Sequence, residues 1–547
     1  MSEPLASSTN TAFSKLSYLI IDDFESFRLS MREMLRSFGA EKIESHAKAS
    51  PAIQFCGYNH VDVVLCDFNL GEGKNGQHIL EELRHKKLLK RSSIFLMITA
   101  ETSKEMVMGA REYQPDAYLT KPINRAMLMK RLDVLVSQRT ALLPINREID
   151  RENYPEAISL CLRYLPTQPR YKTWLMKTLA DLYYQVGDFS HALKIYEDVL
   201  PQRDLSWASL GRGRVLVATG NYDEAADALN ALVEKHPDYM EAYDLLAKAL
   251  EKKGKPVQAQ KILEKASELS PNALLRQKQL ASLAGSNQDL STASEAWKKT
   301  VSLGTHSIHD SSEHYLALGQ SLSDLSEGDT SSDGYASADE ALATLRRMER
   351  RFPEEENIKV RSRVVQSRVH AGQGNQNEAN KALESVADEL GDGETIDPEL
   401  GIDYAKTLFR LDRDKQAKEL LGSLAQRCAD NPHLLQKIES LLDEPVGFQQ
   451  KLKARGLNRD GIKAFESDNL DDAIRIFNEA LSIVPDHAAL NLNLCQVLMK
   501  KYQKPDGDGT LLKQAQKHLD RLKNLPEQHR QHRRLISLRK KLQGTMA

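Results

Sequence analysis

The sequence predicts two architectures in series: an α/β doubly wound, five-stranded parallel sheet, then an all-α solenoid of paired helices. Two observations carry this reading. From Lys15 to about Val136, short apolar runs alternate with amphipathic segments, the pattern of successive βαβ units. After about Gln138 the strand pattern stops and a helical pattern recurs. Its alanines Ala157, Ala192, Ala225 and Ala259 stand 35, 33 and 34 residues apart, a period that belongs to stacked helical repeats.

The strands are expected at Lys15–Ile21, Lys42–Ala47, Val61–Cys66, Ile94–Ile98 and Ala117–Thr120, each a short apolar run. Between the first two, Glu25–Phe38 places Phe27, Met31, Met34, Leu35 and Phe38 on one helical face. The last helix of this region runs on through Gln138, and Pro144 is expected to interrupt it. Polar groups close the strands. Asp22 and Asp23 end the first, Asp67 the third, Thr99 the fourth, and Lys121-Pro122 the fifth. The C-terminal ends of parallel strands form the ligand edge of such a sheet. These residues therefore converge on one acidic pocket.

In the second region the motif Leu179-Ala180…Gly187-Asp188-Phe189…Ala192 returns as Gly213…Gly220-Asn221-Tyr222…Ala225…Pro237 and again as Leu246-Ala247…Gly254…Ala259…Pro271. Small residues let two helices approach closely. Glycine permits the turn between them and proline ends the second. The pattern loosens from Asn287 to Arg455, with an insert near 326–337 read as a mobile polar loop. It clears again at Asn469…Ala473…Phe477…Ala480…Pro485. A break is expected around Asp443–Gly447. The segments are thus a disordered tail at 1–14, the sheet domain at 15–137, a repeat array at 138–445 and C-terminal repeat-like helices at 446–547, ending in a basic cap.

Composition narrows the function classes. Over 547 residues the net charge is −2, with 28% charged residues, which argues against a chain-wide surface for nucleic acid or anionic membrane. Met1–Ser14 lacks the basic and apolar parts of a signal peptide, and no apolar run reaches the ~20 residues of a membrane helix. The five cysteines are scattered without CxxC spacing, as reduced thiols of a cytoplasmic protein are. Trp174, Trp207 and Trp297 are expected between helices rather than in a binding groove.

With its five strand-end residues in order, the first region resembles the receiver domain of two-component response regulators, most closely the chemotaxis type, a flavodoxin-like fold. The resemblance implies that Asp67 is the phosphoacceptor. It implies that Asp22, Asp23, the Asp67 carboxylate and the Asn69 backbone carbonyl bind Mg²⁺. Thr99 and Lys121 then contact the phosphoryl group, and Tyr118 is the switch aromatic. Hard oxygen ligands and a neighbouring phosphoryl group suit Mg²⁺. Two departures stand out. Phe68-Asn69-Leu70-Gly71 replaces the family's Met-Pro, and about one extra residue precedes Gly76. The second region resembles tetratricopeptide repeats, which implies a right-handed solenoid with a concave protein-binding groove.

Together they imply a cytoplasmic response regulator phosphorylated by a sensor histidine kinase or phosphotransfer protein. Its output is protein binding by the repeats, and a homodimer through the receiver is admitted. Neither resemblance implies an enzyme, and no effector motif for DNA or cyclic nucleotides follows Val136. One rival is nucleic-acid binding through the basic stretch that includes Lys513, Arg521, Arg534, Arg539 and Lys541, against which a polar solenoid cap is preferred. Another is a constitutive scaffold with a silent receiver.

Overall fold

The computed structural model describes residues 13–546 except 101–113, 202, 327–328, 330, 388–389, 391–395, 443–448, 484–486, 506, 524 and 526–530. The sheet region runs β1 (Ser17–Ile21), α1 (Glu25–Ser37), β2 (Lys42–His46), α2 (Ala49–Tyr58), β3 (Val63–Asp67), α3 (Gly76–His85), β4 (Ile94–Thr99), β5 (Ala117–Thr120) and α4 (Arg125–Asp150). All neighbouring strands are parallel, in the order β2-β1-β3-β4-β5. Every residue of β3 and β4 is buried, because helices cover both faces of the sheet. Successive side chains alternate between two cores. One gathers Tyr18, Ile20, Met31, Leu35, Val63, Leu65 and Leu96. The other gathers Leu19, Ile21, Val64, Cys66, Ile79, Leu80, Phe95 and Met97. The order places β1 beside β3 and their carboxyl ends at the crevice where such sheets bind ligands.

Two sequence expectations shift here. Phe13 is buried and rests on Phe38, and its carbonyl accepts from the Tyr18 hydroxyl at 3.1 Å. Phe13, inside the segment read as a tail to residue 14, is therefore part of the folded domain; residues 1–12 lie outside the described residues. Pro144 does not end the last helix either. α4 continues through it to Asp150, although proline forfeits one backbone hydrogen bond. Buried side chains on both sides hold it. Leu128, Leu132 and Val136 pack in the sheet domain, while Leu142 and Ile145 pack against Ala157, Cys161, Leu175 and Leu179 of the repeats. One helix thus belongs to both domains, and the boundary expected at 137/138 falls inside it. Arg139, near its middle, pairs with Asp62 and donates to the Ser92 carbonyl at 2.7 Å.

The chain forms two compact units, Met1–His314 and Tyr315–Ala547. In the first, the sheet domain is followed by helical pairs such as Lys172–Gln185 with Phe189–Val199, Ser206–Ala218 with Tyr222–Lys235, and Met240–Lys252 with Pro256–Leu269. Ala157, Ala192, Ala225 and Ala259 are fully buried, as close helix approach requires. Gly187, Gly220 and Gly254 take φ of 78°, 81° and 79° at the turns, a conformation glycine adopts at no steric cost. The three tryptophans are partly buried against core clusters.

The second unit is also helical, from Ser332–Arg351 through His532–Met546 among the described residues. Ser332–Arg351 starts inside the insert expected to be a loop. The Ser331 hydroxyl caps it, accepting from the Gly334 N–H at 3.3 Å. The break expected at 443–447 lies outside the described residues. The basic C-terminal stretch is two helices, Gly509–Arg521 and His532–Met546, not one. Leu512, Ala515, Leu519, Leu535, Leu538 and Leu542 face the core. Arg534 donates to Asn493 and Gln496, and Arg539 to the Leu519 carbonyl.

Candidate functional site

β1, β3, β4 and β5 deliver the pocket. β1 ends one residue before Asp22, and the Asp22 N–H donates to the His46 carbonyl at 3.2 Å. Asp67 is the last residue of β3, Thr99 the last of β4, and Lys121 follows β5. Parallel register keeps these ends level: Ile21 is opposite Cys66, Asp67 opposite Ile98, and Thr99 opposite Thr120. Carboxylate oxygens of Asp22, Asp23 and Asp67 lie within 4.8 Å of one another. Asp22 and Asp67 are buried and Asp23 is exposed at the rim.

Lys121 neutralises this acidic cluster. Its Nζ donates to Asp22 Oδ2 at 2.8 Å and to Asp67 Oδ2 at 2.9 Å. Burial opposes the charge on Lys121, yet the hydrogen bonds and attraction of the two aspartates hold its pKa above the ordinary lysine value. Asp67 is displaced upward from the usual carboxylate range. Burial is the main cause and Asp22 adds repulsion, together outweighing Lys121. The arrangement is a buried carboxylate bonded to a lysine ammonium, with two further carboxylates able to hold a hard metal ion.

Thr99 is 4% exposed, and its carbonyl accepts from the Lys121 N–H at 2.7 Å. Tyr118 is partly buried beside the core that holds Phe95 and Met97, three residues before Lys121. Asn69 is exposed in the loop after β3, where its side chain accepts from the Gly71 N–H at 3.1 Å. Asp22, Asp23, Asp67, Asn69, Thr99 and Lys121 therefore gather at the same sheet edge, whereas Tyr118 lies within β5, opposite Met97. The longer loop is also accommodated. The Gly76 N–H donates to the Phe68 carbonyl at 2.8 Å, and Asn75 caps α3.

Gly76 has a steric reason. A Cβ there would stand 2.3 Å from the Asp67 carbonyl oxygen and 2.9 Å from Met97 Sδ. Gly76→Ala is expected to destabilise the domain by ~1–3 kcal/mol, the usual cost of overpacking, and to displace the Asp67 backbone. Urea unfolding of the two proteins measures the first effect. Equal midpoints would show that the loop yields freely.

Two contributors escaped the sequence reading. The Phe27 ring lies 4.2 Å from Lys121 Nζ, a cation–π contact that steadies the ammonium. Arg28 Nη1 donates to the carbonyls of Asp22 at 2.7 Å and Asp23 at 3.0 Å, fixing the loop that carries both carboxylates. Their place on the first turn of α1, just after the acidic pair, was the available signal.

Comparison with known proteins identifies both regions of the chain. The response regulator receiver domain model matches residues 18–133, and a tetratricopeptide repeat model matches 210–273. Chemotaxis protein CheY-3 of Vibrio cholerae is 30% identical over 115 residues, which span 21% of this chain and 87% of that protein. Chemotaxis protein CheY of Pseudomonas aeruginosa is 25% identical over 115 residues and 91% of its length. Among solved structures, MamA 41-end from Desulfovibrio magneticus RS-1 aligns at 23% identity over 30% of this chain and 93% of that one, with a TM-score of 0.27. V. cholerae CheY4 aligns at 26% identity over 22% and 98%, with a TM-score of 0.21. A receiver domain of this kind indicates a two-component response regulator, here followed by tetratricopeptide repeats, a fold that suggests protein interaction. The chain belongs to the response regulator receiver family through its N-terminal domain. No described helix is long and apolar enough to cross a membrane, and the five cysteines are free and buried.

Proposed function

We propose that Asp67 accepts a phosphoryl group from a sensor histidine kinase or phosphotransfer protein, and that this event gates protein binding by the repeat array. The observation that carries the reading is the convergence of three aspartates within 4.8 Å under a lysine bonded to two of them. An Asp67 carboxylate oxygen attacks phosphorus, the phosphorus–nitrogen bond of the donor breaks, and the imidazole leaves with a proton. Asp22, Asp23, the Asp67 carboxylate and the Asn69 carbonyl would hold Mg²⁺, and the ion would supply charge neutralisation for the incoming phosphoryl group. Lys121 exchanges its bond to Asp67 for one to a phosphoryl oxygen. The Thr99 hydroxyl donates to another phosphoryl oxygen, and Tyr118 turns inward behind it. Neither domain type is enzymatic, so the product is a signalling state.

The shared helix α4 supports coupling, because any reorientation of its receiver half moves side chains packed among the first repeats. A switch acts only through contacts that differ between its two states. Beryllofluoride, a stable stand-in for the phosphoryl group, should therefore change the full chain's small-angle scattering profile and its affinity for a captured protein partner by ~5-fold or more. An unchanged profile and unchanged affinity would leave the repeats a constitutive scaffold. The nucleic-acid reading is less well supported, since Arg534 and Arg539 bond within their own helical cap.

A further inference from the structure

The receiver resemblance implies an output face beside the switch pair Thr99 and Tyr118, formed by Ser103–Tyr113, Tyr118 and Asn124–Val136. Residues 101–113 lie outside the described residues. Among those described, most of the polar contacts between receiver and repeats gather on another element, α3 and the segment after it. At the N-terminal end of α3, the His78 ring donates to the Leu303 backbone carbonyl and meets the His306 ring edge-on at 6.4 Å. One turn on, Glu81 accepts from the Ser307 hydroxyl at 2.8 Å, with His309 Nε2 3.9 Å away. Beyond α3, Lys87 pairs with Glu152 at 2.6 Å and the Arg91 N–H donates to Asp150 at 2.7 Å. Gln114 bonds Glu241 from the loop before β5. The repeats of the first unit therefore bend back onto the receiver and touch it at their start, middle and far end.

The far contact is the informative one. Residues 303–309 are the end of the helix Leu290–Gly304 and the turn after it, roughly 150 residues from the shared helix. They meet the first turns of the helix that the acceptor loop leads into. That loop runs from Asp67 to Asn75, and Asn75 caps α3 in a reciprocal pair with His78. Asn75 Oδ1 accepts from the His78 N–H at 2.9 Å, and the His78 ring accepts from the Asn75 N–H at 3.2 Å. His78 thus joins the acceptor loop to the repeats: one ring nitrogen holds the loop's end, the other holds Leu303. The bond from Asn75 needs an unprotonated ring nitrogen, and burial, the main cause, pushes the ring's pKa down to about 4 although the bond to Leu303 opposes the shift. In the same geometry Lys121 bridges Asp22 and Asp67, the bond to Asp67 being the one that a phosphoryl group would compete for.

We propose that α3 is this receiver's output helix, latched through His78 and Glu81 to the 303–309 turn of its own repeat array in the unphosphorylated state and released when the pocket at Asp67 fills. The proposal rests on the acceptor role of Asp67 for its trigger, but the latch itself does not. Metal and phosphoryl groups would engage the loop at its Asp67–Asn69 end, and the Gly76 N–H to Phe68 carbonyl bond and the Asn75–His78 pair tie that end to α3. Linkage is reciprocal, so a contact that favours the unphosphorylated state must also slow phosphorylation.

The test uses the full chain with Glu81→Gln and Ser307→Ala, two changes at the part-buried contact that lie outside the pocket. Hydrogen exchange should be faster at 303–309 in both variants than in the wild type without any phosphodonor, and beryllofluoride should produce the same acceleration in the wild type. With acetyl phosphate and Mg²⁺, the variants should label ~5-fold or more faster than wild type. Unchanged exchange at 303–309 in both variants would overturn the latch. Faster exchange with unchanged labelling would overturn its coupling to the pocket. If wild type and variants all fail to label, the acceptor reading fails instead, and the exchange data still judge the contact.

Discussion

Asp67→Asn abolishes phosphoryl labelling of the full chain by acetyl phosphate and Mg²⁺, while the wild type gains one acid-stable, base-labile group. The amide lacks the anionic oxygen that attacks phosphorus, and no neighbour replaces it. Asp22 is buried and already bonded to Lys121 and to the Phe24 N–H. Asp23 lies at the exposed rim. The substitution keeps the side chain's shape at the end of β3, so loss of labelling reports chemistry and not unfolding. Urea midpoints of the two proteins should be close, since Asp67 already sits in a site that raises its pKa. Equal labelling of both proteins would remove Asp67 from the acceptor role.

The paired change Asp22→Ala with Asp23→Ala weakens Mg²⁺ binding by at least ~10-fold, because two of three carboxylates that hold a hard cation are removed. The fold survives, since both residues follow β1 rather than lie within it. Lys121 keeps Asp67 as partner at 2.9 Å. Isothermal titration with Mg²⁺ measures the effect, and circular dichroism confirms the sheet domain. Undiminished affinity would place the metal elsewhere.

Much of this site was legible because the physics is local and periodic. Buried strands show as apolar runs, and their polar terminators, Asp22, Asp67, Thr99 and Lys121, must share one edge once the strands are parallel. The repeat alanines were legible for the same reason: close packing at a fixed interval leaves a small residue at a fixed interval. What the sequence concealed depends on tertiary context. Pro144 reads as a stop, yet packing from Leu142 and Ile145 carries the helix through it. Phe13 reads as tail, yet finds Phe38. His78 reads as one more surface histidine. Its bond to Leu303 joins residues 225 positions apart and follows no sequence rule.

Whether filling the acceptor pocket changes the repeats is decided by hydrogen exchange of the full chain with and without beryllofluoride and Mg²⁺, with Asp67→Asn as control. Amides outside the receiver should change protection, first in the 303–309 turn and in α4 beyond Gln138, and the control should show neither change. Identical protection at every amide after residue 138 in the two wild-type samples would contradict the coupling.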